Sequence, residues 1–179
     1  IEGGFGNIEV DDEGVLPKPV TLIDKGLLRE QMTNREWAKR LGIRPTGNAR
    51  AENYRVPPLV RMRNTYFEPG DLSFEELLEG KKSGYYCVDI RGGQAEANSS
   101  FQVGIQECYE IVKGELGQPV RSLAISGMAT KSLSLIDGLG KDTEFESSYC
   151  GKMYQSMPTS DGGPHISLEK GAIVFGGSA

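Results

Sequence analysis

The chain is poor in the residues that most often carry chemistry. Among its 179 residues there is one histidine, His165, one tryptophan and three cysteines. A catalytic zinc takes about three protein ligands, so one cysteine with one histidine cannot complete a zinc site within these residues. The cysteines, Cys87, Cys108 and Cys150, are odd in number and never in CxxC spacing. That argues against a disulfide framework and for a reducing cytoplasm. No Lys/Arg run exceeds two residues, and acids outnumber bases 25 to 20. Phosphate neutralisation needs a basic patch, so no nucleic-acid partner is expected. No apolar run approaches the ~18 residues of a membrane span, so no membrane partner is expected either.

Glycine is abundant instead, 24 in all, which implies many tight turns and a mainly β architecture. Two short helices carry start and stop signals. In "TNREWAKRLG" Thr33 and Glu36 make a capping box, Trp37 and Leu41 share a face, and Gly42 stands at the C-terminal end. In "SFEELLEGK" Ser73 and Glu76 repeat the box and Gly80 ends the helix. "KSLSLIDGLG" is a weaker third candidate, with Leu133, Ile136 and Leu139 on one side. The rest reads as strands. Val20 to Met32 makes a hairpin about Lys25-Gly26, "YYCVDIRGG" alternates ahead of a Gly92-Gly93 turn, and Phe101 onward gives three strands with a turn near Lys113-Gly114. A last turn falls at Lys170-Gly171. Strands joined by turns of a few residues pair antiparallel. The expected fold is therefore α+β, mainly β, with antiparallel meanders and two or three short helices. Thr46 to Asp71 reads as one long irregular segment, and such segments are usually functional or linking.

The glycines of "GGFGN" lack the strand and helix of a dinucleotide fingerprint and read as a turn. "SGMATKS" lacks the glycine spacing of a phosphate-binding loop. "DDEG", Asp11 to Gly14, offers carboxylates to a hard cation but reads better as a solvated turn. Cys87 and Cys108 lie in apolar runs, as packing residues do. Cys150 differs. Its neighbours in "SSYCGKMYQSMPTSDGGP" are glycine, lysine and polar residues, which reads as a loop, and Lys152 favours the thiolate that attacks carbonyls or binds metal. Spacing alone leaves three roles open: nucleophile, ligand or inert thiol. A Cys150–His165 dyad is one form of the first.

The ordered set "TGNAR", "PLVRMRNTYFEPGD", "SGYYC", "SLAISG", "YCGKMYQSMPTSDGGPHISL" and "VFGG" resembles the C-terminal metalloprotease domain of the TldD/PmbA family, once called modulators of DNA gyrase. The resemblance covers essentially the whole chain, 1–179. It implies a cytoplasmic zinc peptidase acting on unfolded proteins or peptides, working as a homodimer or as a heterodimer with a PmbA/TldE-type subunit. In TldD-type members two zinc ligands come from a His-Glu-x-x-x-His helix upstream of this region, and the third is the cysteine that falls on Cys150. PmbA-type members lack that cysteine, so Cys150 implies the TldD type. On this reading the sequence is a piece of a longer protein, cut on its N-terminal side and complete at its C-terminus. It is expected to be inactive alone, without bound zinc. Gly151, Lys152 and Gln155 are the candidate substrate-binding residues: Gly151 would let the backbone approach the metal, and Lys152 and Gln155 would either hold the loop or donate to substrate. Tyr154 stands where the pattern has glycine, and His165 where it has threonine. The competing expectations are a cysteine hydrolase using Cys150 and His165, and a non-catalytic partner module.

Overall fold

Two Lys-Gly pairs fix hairpins as expected, because both residues of each turn take left-handed backbone: Lys25 and Gly26 have φ 51° and 77°, Lys113 and Gly114 φ 53° and 83°. Such turns match the right-handed twist of the strands they join. In the computed structural model, which describes residues 1 and 3–176, the first turn joins β1 (Ile23–Asp24) to β2 (Leu27–Leu28). Then follow α1 (Arg35–Leu41), β3 (Ala49–Arg50), β4 (Leu59–Val60), β5 (Asn64–Tyr66) and α2 (Phe74–Leu78). The long strands β6 (Ser83–Ala95) and β7 (Ser100–Val112) precede β8 (Glu115–Pro119), β9 (Ala124–Met128) and α3 (Ala129–Ser134). The chain closes with β10 (Ile136–Lys152), β11 (Gln155–Leu168) and β12 (Val174–Gly176). Gly177, the last residue of "VFGG", lies outside the described residues. The fold is mainly-β α+β.

Two compact units are present, 1–68 with 144–163 and 69–143 with 164–179. In the first, β3 pairs β4 antiparallel, and the order β10-β11-β5 makes a three-stranded sheet. Contrary to the purely antiparallel expectation, β5 runs parallel to β11, with Ser160, Asp161 and Gly162 opposite Asn64, Thr65 and Tyr66. The long span from Thr46 to Asp71 is interrupted by three short strands, β3, β4 and β5, and is otherwise irregular. In the second unit β12-β9-β7-β6, with β8 beside β7, form an antiparallel sheet. Gly92-Gly93 does not turn the chain: β6 runs through it, paired to Gly104 and Val103, with register shifts between Cys87 and Gly92. Val88 and Ile90 lie at these shifts and are exposed.

The helices show where caps differ from the sequence expectation. α2 has its capping box, Ser73 and Glu76 each accepting from the other's backbone N–H. α1 is capped by Asn34, whose Oδ1 accepts from the Trp37 N–H at 2.9 Å, while Thr33 is buried and its N–H donates to Thr46 Oγ1. An asparagine caps at least as well as a threonine, which left Thr33 for the interior. Trp37 and Leu41 are half-exposed, and Ala38 is the buried residue of α1. The third helix candidate divides: α3 ends at Ser134, and Ile136 and Leu139 begin β10.

Cys87 and Cys108 stand directly opposite each other on β6 and β7, Sγ to Sγ 3.8 Å, both free thiols. Burial, reinforced by the neighbouring Cys108, pushes the Cys87 thiol up to about 12. The unfolded thiol ionises near ~8.5, so folding favours the protonated form. Stability from this group is present below about pH 8.5 and is lost as pH rises towards the folded value. Urea unfolding from pH 8 to 11 should show a steeper fall for the wild type than for Cys87→Ala. Parallel slopes would contradict that.

Gly162 marks a close approach in the first unit: a Cβ there would lie 2.1 Å from the Glu144 carbonyl oxygen and 2.9 Å from Phe145 Cα. Both are backbone, and β10 cannot yield without breaking its pairing. Gly162→Ala should destabilise by about 2–3 kcal/mol, read as a lower urea midpoint, with a change below ~0.5 kcal/mol counting against the tight packing.

Candidate metal-ligand hairpin

Cys150 is not in a loop. It lies on β10 two residues before the turn that leads into β11. The turn residues are Met153 and Tyr154, with φ 48° and 63°, both left-handed and both fully or largely exposed. A two-residue turn of this kind keeps the strand pairing regular up to its end, so the cysteine is presented from a paired strand. It is half-buried and free.

The interior beneath the hairpin is polar, and it is built by the two motifs to which sequence reasoning gave no role. In "TGNAR", Thr46, Asn48, Ala49 and Arg50 are all buried. Thr46 Oγ1 donates to Asn48 Oδ1 at 2.8 Å, and Asn48 Nδ2 donates to the Arg61 carbonyl at 2.8 Å. Arg61, from "PLVRMRNTY", is 1 % exposed. Its Nη2 donates to the carbonyl of Cys150 and its Nη1 to that of Gln155 at 3.3 Å, one on each arm of the hairpin. Arg50 Nη1 donates to the carbonyls of Met62 and Pro158, both at 2.7 Å, which ties β3 to β11. Burial and, second, the charge of Arg61 hold the Arg50 guanidinium below its ordinary value. Burial does the same to Arg63.

Lys152 and Gln155 both bond to the chain's own backbone. Gln155 is buried; its Nε2 donates to the Pro57 carbonyl at 3.1 Å and its Oε1 accepts from the Glu52 N–H at 3.1 Å. Lys152 Nζ donates to the Val60 carbonyl at 3.1 Å. Gly151 is exposed, and a Cβ there would meet nothing within 4 Å of the chain's own atoms. The "DDEG" carboxylates are spent on backbone: Asp11 accepts from the N–H groups of Glu13, Val15 and Ala49, and Asp12 from that of Ala51. This is a structural turn. In "GGFGN", Gly6 lies against the Arg63 backbone and its N–H donates to Asn64 Oδ1, so these glycines also serve packing.

His165 belongs to the second unit, Cys150 to the first. There His165 Nε2 is 2.9 Å from the Tyr86 hydroxyl, and its ring lies 4.8 Å from that of Phe74. Among the described residues no three His, Cys, Asp or Glu side chains gather as a metal site. Cys150 is a donor of suitable chemistry for zinc, but the residues present do not form a zinc site by themselves.

The chain matches, over residues 1–174, the family model described as the PmbA/TldA metallopeptidase C-terminal domain. It is 46% identical over 160 residues to a zinc metalloprotease TldD homolog of Saccharolobus solfataricus, covering 89% of this chain and 36% of that protein. It is 41% identical over 174 residues to a metalloprotease of Methanothermobacter thermautotrophicus, covering 97% and 38%. Among solved structures, TldE from Thermococcus kodakarensis superposes with a TM-score of 0.70 at 23% identity, covering 90% of this chain and 35% of that one, a likeness of fold. The chain belongs to the TldD/PmbA family, as its C-terminal domain. It spans little more than a third of the length of the curated relatives it matches.

Tyr154, where the resemblance implies glycine, adopts the backbone that glycine favours, and its side chain is fully exposed. Left-handed φ costs a non-glycine residue about 1–2 kcal/mol, and no buried contact of the ring offsets it. Tyr154→Gly should therefore stabilise the protein by about 1 kcal/mol, seen as a raised urea midpoint with unchanged slope. A destabilised variant would show that the ring has a packing role.

Proposed function

We propose that this chain is the C-terminal part of a TldD-type zinc peptidase, to which it contributes Cys150 as one metal ligand. The observation that supports the reading most directly is the presentation of Cys150: a half-buried free thiol on a paired strand, its own carbonyl tied down by a buried arginine. A metal ligand must be held to a few tenths of an ångström, and an inert thiol needs no such support. The other ligands and the general base come, on this reading, from the His-Glu-x-x-x-His helix that the family resemblance implies. Bound zinc supplies Lewis acidity and an acidified water. What this chain supplies is the thiolate and its fixed position.

The same strand offers a place for the substrate. In the first unit's sheet, β10 is at the edge of the order β10-β11-β5. An extended peptide can add to such an edge through main-chain hydrogen bonds, with affinity and little sequence preference, and its path along β10 would pass Cys150. That suits unfolded protein or peptide as substrate. The acidic balance gives no support to a DNA partner. The partner subunit, identical or PmbA/TldE-type, follows from the family resemblance, and a cytoplasmic location from the cysteine usage. Among the described residues no helix is long and apolar enough to cross a membrane.

The test is metal content together with peptide hydrolysis in the full-length protein. Cys150→Ser should lose most of its zinc and reduce hydrolysis by at least ~100-fold, because a serine hydroxyl stays protonated where a thiol on a metal is deprotonated. Cys87→Ser and Cys108→Ser should keep both and lose only stability. Full zinc and full activity in Cys150→Ser would remove the ligand assignment. Hydrolysis by this chain alone that survives a chelator would favour the Cys150–His165 hydrolase instead.

A further inference from the structure

The second unit holds its two thiols in a relation that has a covalent consequence. Cys87 and Cys108 are partners in the β6–β7 ladder, which pairs one to one from Ser83 and Val112 as far as these two residues. The first register shift follows immediately. Directly opposed residues on antiparallel strands have Cα atoms about 4.5–5.5 Å apart, inside the window of about 4.4–6.8 Å that a disulfide spans. Side chains of such a pair leave the sheet on the same side, and here the sulfurs are in contact, Sγ to Sγ 3.8 Å. Bringing them to bonding distance takes roughly 2 Å of travel shared between two side chains, with no movement of the strands. Access to the pair is one-sided: Cys108 is 2 % exposed, whereas Cys87 is half-buried. Burial pushes both thiols up, so neither is ionised at neutral pH. The first attack on an oxidant is therefore slow, but no thiolate stabilises the reduced pair as it does in strongly oxidising dithiols.

We propose that Cys87 and Cys108 are a reversible cross-strand disulfide site, closed by a small disulfide oxidant that enters at Cys87, and that the bond fastens β6 to β7 at the last regular pair before the bulges. Cys87, as its thiolate, attacks one sulfur of the oxidant, forming a mixed disulfide and expelling one small thiolate. Cys108 gives its proton to that leaving thiolate, and its sulfur attacks Cys87 Sγ. The protein disulfide forms and the second small thiolate leaves, taking up the proton that Cys87 had lost. Two protein thiols have then been oxidised by two electrons, and one small disulfide has been reduced to two small thiols. An excess of small thiol runs both steps backwards, so the pair rests as free thiols in a reducing compartment. The site is independent of Cys150 and of zinc. What the bond adds is a fixed register at the point where the ladder changes step, because strands joined there cannot slide.

The test equilibrates the full-length protein with mixtures of reduced and oxidised glutathione, approached from both the reduced and the oxidised side. Acid quenching, alkylation and non-reducing peptide mass mapping then give the fraction cross-linked between Cys87 and Cys108. The same mixtures are applied to the protein in concentrated urea. A bond that fits the fold is favoured by the fold to the same degree that it stabilises the fold. The equilibrium constant for cross-linking should therefore be about 100-fold or more larger in the native protein than in urea, the loop-closure entropy that unfolding would otherwise release. In Cys108→Ala, glutathione should accumulate on Cys87, because the resolving thiol is gone. In Cys87→Ala, Cys108 should remain a free thiol, because the oxidant cannot reach it. A native constant no larger than that in urea overturns the proposal, as does a wild type that stops at the Cys87–glutathione adduct. Both readings come from the wild type, so they stand even where a variant fails to fold. Neither involves zinc or peptide hydrolysis, and the assignment of Cys150 is decided separately by metal content.

Discussion

A charged group with almost no exposure lies between the arms of the hairpin that carries Cys150, and much of the first unit is arranged to accommodate it. Arg61 receives the Asn48 amide on its own carbonyl, donates its N–H to the Asn48 carbonyl at 2.8 Å, and sends its fork to β10 and β11. Asn48 in turn depends on Thr46, and Thr46 accepts from the residue before the α1 cap. Each such hydrogen bond contributes about 1 kcal/mol net. The larger effect is the converse: removing one member strands its buried partners, at about 1–3 kcal/mol for each unsatisfied group. The network is thus hard to alter piecemeal, and it extends without interruption from the start of α1 to the carbonyl of Cys150.

That arrangement explains why the unit has little apolar core. Its fully buried apolar residues include Ala38, Ala49 and Met157, whereas Asp11, Thr33, Asn48, Arg50, Arg61, Gln155, Thr159 and Ser160 are all buried polar groups. Apolar packing tolerates sliding and repacking at modest cost. A satisfied polar network does not, because each donor has one suitable acceptor at one distance. The glycines complete the device. At Gly6, Gly47 and Gly162 a Cβ would lie within 2.5 Å or less of backbone, so the chain segments meet main chain to main chain. In this unit specificity of position comes from hydrogen bonds and from contacts too close for a side chain.

The parts of the fold legible in the sequence were those with local causes. The Lys-Gly turns, the Ser73 capping box and the cap glycine Gly42 need only the residues beside them, and each stands where it was read. The misreadings have a common source in non-local structure. Gly92-Gly93 looks like a turn because glycine permits one, but pairing across to β7 keeps β6 extended. Cys150 looks like a loop residue because its neighbours are polar, yet a polar interior below it makes a strand of polar sequence stable. β5 gave no sign of its parallel pairing, since three residues carry no periodicity and their partner lies almost a hundred residues away. The site showed the same division. Cys150 was singled out through the family resemblance, while Arg61 and Arg50 sat in quoted motifs without a role. A signal was present: arginines within segments otherwise rich in Pro, Asn and Thr.

Under the proposed function, a strand end is a better mounting than a loop for a ligand whose partners lie elsewhere. A loop residue moves with its own torsions, whereas Cys150 moves only if β10 parts from β11 or the Arg61 fork opens. The edge position adds a second consequence. β10 is bonded to β11 on one side, and on the other Leu139, Gly140 and Lys141 bond to Gly70 and Leu72, so under the proposed function a peptide would join the part of the strand beyond Lys141, where the thiol lies. Under the proposed function, any displacement of β10 would shift ligand and substrate backbone together and leave their separation unchanged. Errors of placement that would spoil the chemistry, were ligand and substrate held by different elements, cancel when one strand holds both. The strain at Met153 and Tyr154 fits the same logic, because a two-residue turn with left-handed backbone at both positions keeps the arms in register up to Lys152 and Gln155, the two residues that fasten the hairpin to Val60 and Pro57.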